Sequence, residues 1–291
     1  MSDSGTLYIV ATPIGNLDDI SKRAIEVLNF VDLIAAEDTR HSQKLLQNIQ
    51  VDTPVVSHHD FSADSAIERI LEKLDSGSSI ALISDAGTPL ISDPGFKLVR
   101  LARERNLAVI PVPGASALIT ALSVSGLATD RFTFEGFLPS KAAARQKKLS
   151  ALSGEERTMV FYESTHRIRD SLSDMRAAFS DQRLIFIARE LTKRFESHFL
   201  GTAEACVEWL VADSNQQKGE FVVIVSGSDA QLEEARRHEQ GMEIVRLLKP
   251  EVSMKKAVSL ASKISGARKN LLYEAALKEM AEGAESAPVE Y

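Results

Sequence analysis

A single cysteine, Cys206, occurs in 291 residues, which excludes internal disulfides and a cysteine-built metal cluster. The expectation is a small buried thiol in a reducing cytoplasm. Long apolar runs are missing too. No segment approaches the ~18 residues of a membrane span. The opening Met1-Ser2-Asp3-Ser4-Gly5 has neither the basic flank nor the apolar stretch of a secretory signal, so a cytoplasmic chain that avoids membranes is expected. Positive charge is in deficit: 34 Lys and Arg stand against 41 Asp and Glu, a net charge of −7. General affinity for polyanions is thereby excluded, and any nucleic-acid contact must come from local basic patches. Neither G-x-G-x-x-G nor G-x-x-x-x-G-K-[ST] occurs, so NAD or ATP binding by those devices, and a nucleotide-dependent phosphotransferase, have no support. His58-His59-Asp60 invites a metal, but adjacent ligands on an extended segment diverge and no third-ligand pattern accompanies them. No metal is expected.

What is present is a hydrophobic content of 44%, enough for packed cores in roughly two domains at ~100–200 residues each. Strand and helix patterns alternate over the first ~125 residues. Strands are expected at 7–10, 32–36, 54–57, 79–83 and 107–112. Helices are expected from about Asp18 and at 41–49, 63–74, 96–105 and 115–125. That rhythm predicts a mostly parallel sheet covered on both faces. After a hinge at 126–131 a second α/β unit begins, with strands at 132–137, 158–162, 184–188, 195–201 and 220–225. A hairpin around Thr192-Lys193-Arg194 makes this sheet mixed. From Asp229 the pattern is helical, and 253–264 with 267–280 form a helix-turn-helix-like pair about Ser265-Gly266. Between 249 and 280 seven basic residues stand against three acidic ones. The predicted division is therefore 1–127, 128–228, a helical 229–281 and an acidic tail 282–291.

Chemistry concentrates in the loops. Ser84-Asp85-Ala86-Gly87-Thr88-Pro89 follows a strand and precedes a helix, where α/β sheets bind ligands. Asp93-Pro94 just beyond reads as that helix's cap and first residue. Thr12-Pro13-Ile14-Gly15-Asn16 and Pro113-Gly114-Ala115-Ser116-Ala117 occupy equivalent places after other strands, and three such loops argue for a shared site. Glu37-Asp38-Thr39-Arg40 ends another strand, and an ion pair there reads equally as structural or functional. Glu163-Ser164-Thr165-His166-Arg167 and Arg189-Glu190-Leu191-Thr192-Lys193 crowd titratable residues at strand ends of the second unit. Lys141, Arg145 and Lys148 share one helical face, read either as solvated or as a phosphate contact.

Taken in order, the stretches 7–17, 35–40, 84–89, 112–115, 161–167, 188–193 and 218–222 resemble the tetrapyrrole-methylase-like (class III) S-adenosylmethionine-dependent methyltransferases. The resemblance covers residues 5–226 and lies with the branch acting on RNA. The porphyrin enzymes carry a glycine-rich first loop and a Gly-Asp-Pro motif, which this chain replaces with Thr-Pro-Ile-Gly-Asn and Ser-Asp-Ala-Gly-Thr-Pro. The resemblance implies two α/β domains with S-adenosylmethionine in the cleft between them, and a small C-terminal helical domain. It implies 2′-O-methylation of a cytidine in the decoding region of small-subunit (16S) ribosomal RNA, and a homodimer. Cofactor contacts are expected from Pro13, Ile14, Asp85, Ala86, Gly87, Thr88, Pro89, Ser116, Ala117, Phe161, Tyr162 and Ala188. Asp38, Glu163 and Glu190 are the carboxylates placed to take the hydroxyl proton, with Arg40, Arg167 and Lys193 placed to hold phosphate or ribose. Lys141, Arg145, Lys148, Lys255, Lys256, Arg268 and Lys269 are expected to meet RNA phosphates of the 30S subunit or its naked RNA. A tetrapyrrole methylase and a non-catalytic RNA-binding assembly factor are the alternatives.

Overall fold

Short apolar runs ended by turn residues become strands, and amphipathic runs between them become helices. The computed structural model describes residues 5–59, 64–179 and 181–285. Strands β1 (Thr6–Val10), β2 (Leu33–Ala36), β3 (Val55–Ser57), β4 (Ile80–Ile83) and β5 (Ala108–Val112) are each followed by a helix. These helices are α1 (Lys22–Phe30), α2 (Thr39–Asn48), α3 (Asp64–Asp75), α4 (Phe96–Glu104) and α5 (Ala117–Val124). All five strands run parallel in the order β3-β2-β4-β1-β5. Both faces are covered, so β2 and β4 are apolar and buried along their whole length. Leu71 and Leu74 of α3 and Leu98 of α4 pack on Leu7 and Leu82. Leu28 of α1 and Leu46 of α2 pack on Val10 and Ile34 from the other side. Parallel strands end at one edge of the sheet, so the loops after β2, β4, β1 and β5 become neighbours.

The second sheet has the order β6-β7-β10-β8-β9, from β6 (Phe132–Phe137), β7 (Thr158–Ser164), β8 (Leu184–Arg189), β9 (Ser197–Thr202) and β10 (Glu220–Val225). Only β6 and β7 are parallel; β8 and β9 form the expected antiparallel hairpin. Side chains alternate across the sheet with a period of two. Phe161, Ile187 and Val223 face α6 (Ala142–Ala151), α7 (Ile168–Ala178) and α8 (Ala203–Ala212), together with Leu149, Leu172 and Cys206. Burial pushes the Cys206 thiol up to about 12. Tyr162, Ala188 and Val222 take the opposite face, against Leu118, Ala121 and Leu122 of α5. Helix α5 therefore joins the two sheets.

Two starts differ from expectation. The helix expected from Asp18 is split into a 3-10 turn at Leu17–Asp19 and α1, because Asn16 and Ser21 each cap a separate start. Asp93 does not cap α4. The chain makes another turn at Gly95, φ 125°, and α4 begins at Phe96 with no side-chain cap.

Two compact units result, one holding both sheets and the other containing residues 154–156 with the described residues 227–285. In the latter, α9 (Ala230–Leu248), α10 (Met254–Ser265) and α11 (Lys269–Glu285) pack through Met242, Val245, Val258, Ala261 and Leu272. Gly266, φ 73°, supplies the left-handed turn between α10 and α11. The expected acidic tail falls partly in α11, and residues 286–291 lie outside the described residues, as do Ala63 and Asp60 of the expected helix start and His-His-Asp cluster. Among the described residues no helix is long and apolar enough to cross a membrane.

Candidate active site

The loops after β1, β4 and β5 are stitched to one another by main-chain groups. Thr12 and Gly87 exchange backbone hydrogen bonds of 2.9 and 3.0 Å. The Thr12 hydroxyl donates to the Ser84 carbonyl at 3.2 Å, and the Thr88 hydroxyl to the Ala115 carbonyl at 3.1 Å. Small residues are required here. A Cβ at Gly87, φ +82°, would sit 3.3 Å from Ile14 Cγ2, and one at Gly114 would sit 3.0 Å from Ala11 Cβ.

Between this wall and the α5-facing side of the second sheet lies a cavity of about 480 Å³, within the ~300–1,000 Å³ usual for small-molecule sites. Ile14, Ala86, Gly87, Thr88, Ser116 and Ala117 line it from the first lobe; Tyr162, Glu163, Ala188 and Lys193 line it from the second. The Tyr162 hydroxyl accepts the Leu118 N–H at 3.2 Å, satisfying a donor of the first turn of α5. Phe134 and Phe137 meet the Tyr162 ring edge-on at 4.8 and 5.7 Å. Burial raises the phenol's pKa, the Leu118 hydrogen bond opposes this, and the Asp93 charge raises it further.

The second wall is held by ion pairs. Glu163 has a side chain only 1% exposed. One carboxylate oxygen accepts the Ser171 hydroxyl at 2.6 Å, and the other accepts the Ser164 N–H at 2.8 Å and pairs with Arg167 at 3.0 Å. Arg167 also donates to the Leu138 carbonyl at 3.1 Å and lies over the Phe137 ring. Lys193 bridges Glu190 at 2.9 Å and Glu220 at 2.8 Å. Its stem fills the space above Gly15, where a Cβ would come within 2.4 Å of Lys193 Cγ. Burial disfavours the Glu190 charge, but the Lys193 and Glu220 hydrogen bonds outweigh it and the pKa is lowered. Burial likewise opposes the Lys193 charge, and its two carboxylates outweigh it and raise the pKa.

The remaining expected residues are placed elsewhere. Pro13, Asp85 and Pro89 do not line the cavity, nor does Phe161, whose side chain lies on the far face of its strand. Asp85 accepts the Asp38 N–H at 3.1 Å. Asp38 caps α2 and bonds exposed Arg40, which lowers its pKa. Neither lines the cavity, and Arg167 and Glu190 stand behind its wall. Of the basic face on α6, Lys141 is exposed, but Arg145 is turned inward and buried, 2.6 Å from Asp174. Lys148 donates to the Glu135 carbonyl and pairs with its carboxylate. In the second unit Lys255, Lys256, Arg268 and Lys269 are exposed, with Arg268 2.8 Å from Glu234. Cavity residues outside the expected site set are Ile91, Ser92, Asp93, Phe137, the turn at 164–166, Leu191, Gly219 and the start of β10 at 220–222. Gly219 lay within the stretch 218–222 that carries the resemblance; the structure shows why a side chain is excluded there, with φ +102° and a Cβ position 2.6 Å from the Glu190 carboxylate. Among the described residues no group of three or more His, Cys, Asp or Glu side chains is arranged to hold a metal ion.

Two α/β lobes enclosing a cavity at the carboxyl ends of a parallel sheet define a small-molecule-dependent enzyme. The family model of tetrapyrrole (corrin/porphyrin) methylases matches residues 6–207, and that of the RsmI C-terminal HTH domain matches 236–281. A ribosomal RNA small subunit methyltransferase I of Pseudomonas aeruginosa is 51% identical over 94% of this chain and 98% of its own. The enzyme of that name from Haemophilus influenzae is 50% identical over 95% and 98%. A solved uroporphyrin-III C-methyltransferase of Thermus thermophilus, complexed with S-adenosylhomocysteine, shares the fold. It has a TM-score of 0.52 and 15% identity, covering 76% of this chain and 97% of that one. The chain belongs to the tetrapyrrole methylase family and is an S-adenosylmethionine-dependent methyltransferase.

Proposed function

We propose that this chain methylates the ribose 2′-oxygen of a cytidine in the decoding region of small-subunit ribosomal RNA. The relatives near 50% identity over almost the whole length, named for that RNA, support the substrate. The observation that carries the chemistry is the cavity between the lobes. Its volume and small-residue wall fit S-adenosylmethionine, and a Cβ at Gly87 would crowd that wall. Ile14, the turn 86–88, Ser116, Ala117, Tyr162 and Ala188 are the residues that would hold it. The bound cofactor supplies an activated methyl group, so the protein's task is alignment and management of one proton.

Glu163 and Glu190 act as positioning residues, since their carboxylates are already held by Arg167 and Ser171 and by Lys193. Asp38 and Arg40 orient the neighbouring loop through Asp85. The exposed cations of α10 and α11, with Lys141, meet RNA phosphates. The protein works in the cytoplasm as a homodimer. The test is methyl transfer from labelled S-adenosylmethionine to 30S subunits of a strain lacking the gene, with the product nucleoside identified by mass spectrometry. A 2′-O-methylcytidine is expected. Labelling of a porphyrinoid and not of RNA would overturn the reading.

A further inference from the structure

Strand β6 departs from the regular pleat as it reaches the cavity. Side chains alternate along a strand, so Phe134 and Phe137, three residues apart, should fall on opposite faces. They do not. Phe134 pairs with Val160 and Phe137 with Tyr162, and the register slips by one residue between Phe134 and Gly136. Val160 and Tyr162 share the α5-facing side of the sheet, so the extra residue, Glu135, carries Phe137 to that side as well. Gly136, φ 63°, supplies the left-handed backbone that the slip needs. Bulges re-aim side chains in this way, and they gather next to active sites.

The re-aimed ring is seated but not covered. Phe137 lines the cavity and is still 49% exposed. Two neighbours fix its position. The Tyr162 ring stands at 68° to it with centroids 5.7 Å apart, and the Arg167 guanidinium carbon lies 5.7 Å from its centroid. Arg167 in turn is held by the enclosed Glu163 and by the Leu138 carbonyl. An aromatic surface seated this way, open within a cavity and flanked by a cation, suits stacking by a flat ring.

Two flat ring systems belong to the reaction, the adenine of the donor and the base of the acceptor nucleotide. The residues proposed above to hold the donor lie in the first lobe and, across the cavity, at Ala188 on β8 and Tyr162 on β7. Phe137 lies beyond both, on the edge strand β6. Three strand spacings separate β6 from β8, roughly 14 Å across the sheet. That end of the cavity is outside the donor's residues and open to the acceptor. A 2′-oxygen enters a walled cavity when its nucleotide leaves the RNA stack, and a protein ring then replaces the neighbours the base has lost. We infer that Phe137 is the surface on which the acceptor cytosine stacks, which holds the attached ribose toward the methyl group. The assignment rests on the RNA reading above and names the contact that recognises its substrate.

The test uses the full chain with 30S subunits and four readouts: kcat/KM for the subunit, calorimetric affinity for S-adenosylmethionine, subunit affinity against salt concentration, and thermal midpoint. F137L keeps apolar bulk and removes the aromatic face. It is expected to lose about 5–150-fold in kcat/KM, the range that stacking of one base on one ring spans. At least one of F137Y and F137W, which restore a ring, should recover kcat/KM to within about threefold of wild type. Affinity for S-adenosylmethionine should stay within about threefold throughout. The slope of subunit binding against salt should not change, because no phosphate contact is lost. Should F137L melt early, F137M takes its place. The assignment falls if the ringless variant keeps kcat/KM within about threefold, or if both ring-bearing variants are as impaired as it is. It also falls if cofactor affinity drops as far as kcat/KM, which would put the donor's adenine on the ring, or if the salt slope flattens, which would mean displaced phosphate contacts. A wild-type enzyme that transfers no methyl to the subunit would instead overturn the RNA reading itself.

Discussion

The two walls of the cavity are built from different materials. The first-lobe wall is held mainly through peptide groups: Thr12 and Gly87 bond each other through theirs, and the Thr12 and Thr88 hydroxyls donate to the Ser84 and Ala115 carbonyls. The second-lobe wall is side chain: Glu163 with Arg167, and Lys193 with Glu190 and Glu220. The difference teaches that the first wall sets shape, while the second places charge. Damage should differ accordingly, with ion-pair losses felt as stability and glycine losses felt as binding.

The sharpest way to break that contrast is Glu163→Ala. Removing a carboxylate that is almost wholly enclosed leaves Arg167 without its main partner, and about 3–5 kcal/mol of unfolding free energy should be lost in a urea titration. A loss below about 1 kcal/mol would show that the second wall does not depend on its pairs. Arg145→Ala comes next. Its side chain is 5% exposed and that of Asp174 12% exposed, so about 3 kcal/mol should go. Lys147→Ala, on the exposed side of the same helix, should stay within about 0.5 kcal/mol. Equal effects would return Arg145 to the solvated face that helical spacing assigned it.

Gly87→Ala probes the first wall. A left-handed residue acquires a Cβ that meets Ile14, and the strain should cost about 1–2 kcal/mol. Calorimetry should show S-adenosylmethionine binding weakened about tenfold, and unchanged affinity would mean the main-chain wall is not the donor's seat. The smallest effect concerns pH. Glu190 is depressed when folded, so its contribution is present above its unfolded value near 4.3 and vanishes as pH falls through the folded value. Lys193 is raised when folded, so its contribution is present below about 10.4 and vanishes as pH rises through the folded value. Solvent screening keeps both below about 1 kcal/mol. Between pH 5 and 9 the network should add no slope to stability, and a slope there that Lys193→Met abolished would contradict the pairing.

Strands of the first sheet were legible because parallel buried strands are short apolar runs, and the loops after β1, β4 and β5 stood out by their glycine, proline and small residues. Which residue of a strand end faces the cavity was not legible from motif order. Phe161 and Tyr162 are neighbours, and only the pleat sends Tyr162 to the cavity and Phe161 into the core with Leu172. Arg145 looked like its exposed neighbours because helical spacing does not reveal that Asp174 waits on α7. Asp93 looked like a cap because Asp-Pro before an apolar stretch ordinarily is one, and nothing local announced left-handed residues at 90 and 92.

A cradle made of peptide groups has a consequence for how such a protein can change. The Thr12–Gly87 bridge is formed by atoms every residue possesses, so most replacements whose side chains point outward leave its contour intact. Lineages could therefore drift far in composition while the architecture persists, as a shared fold at 15% identity illustrates.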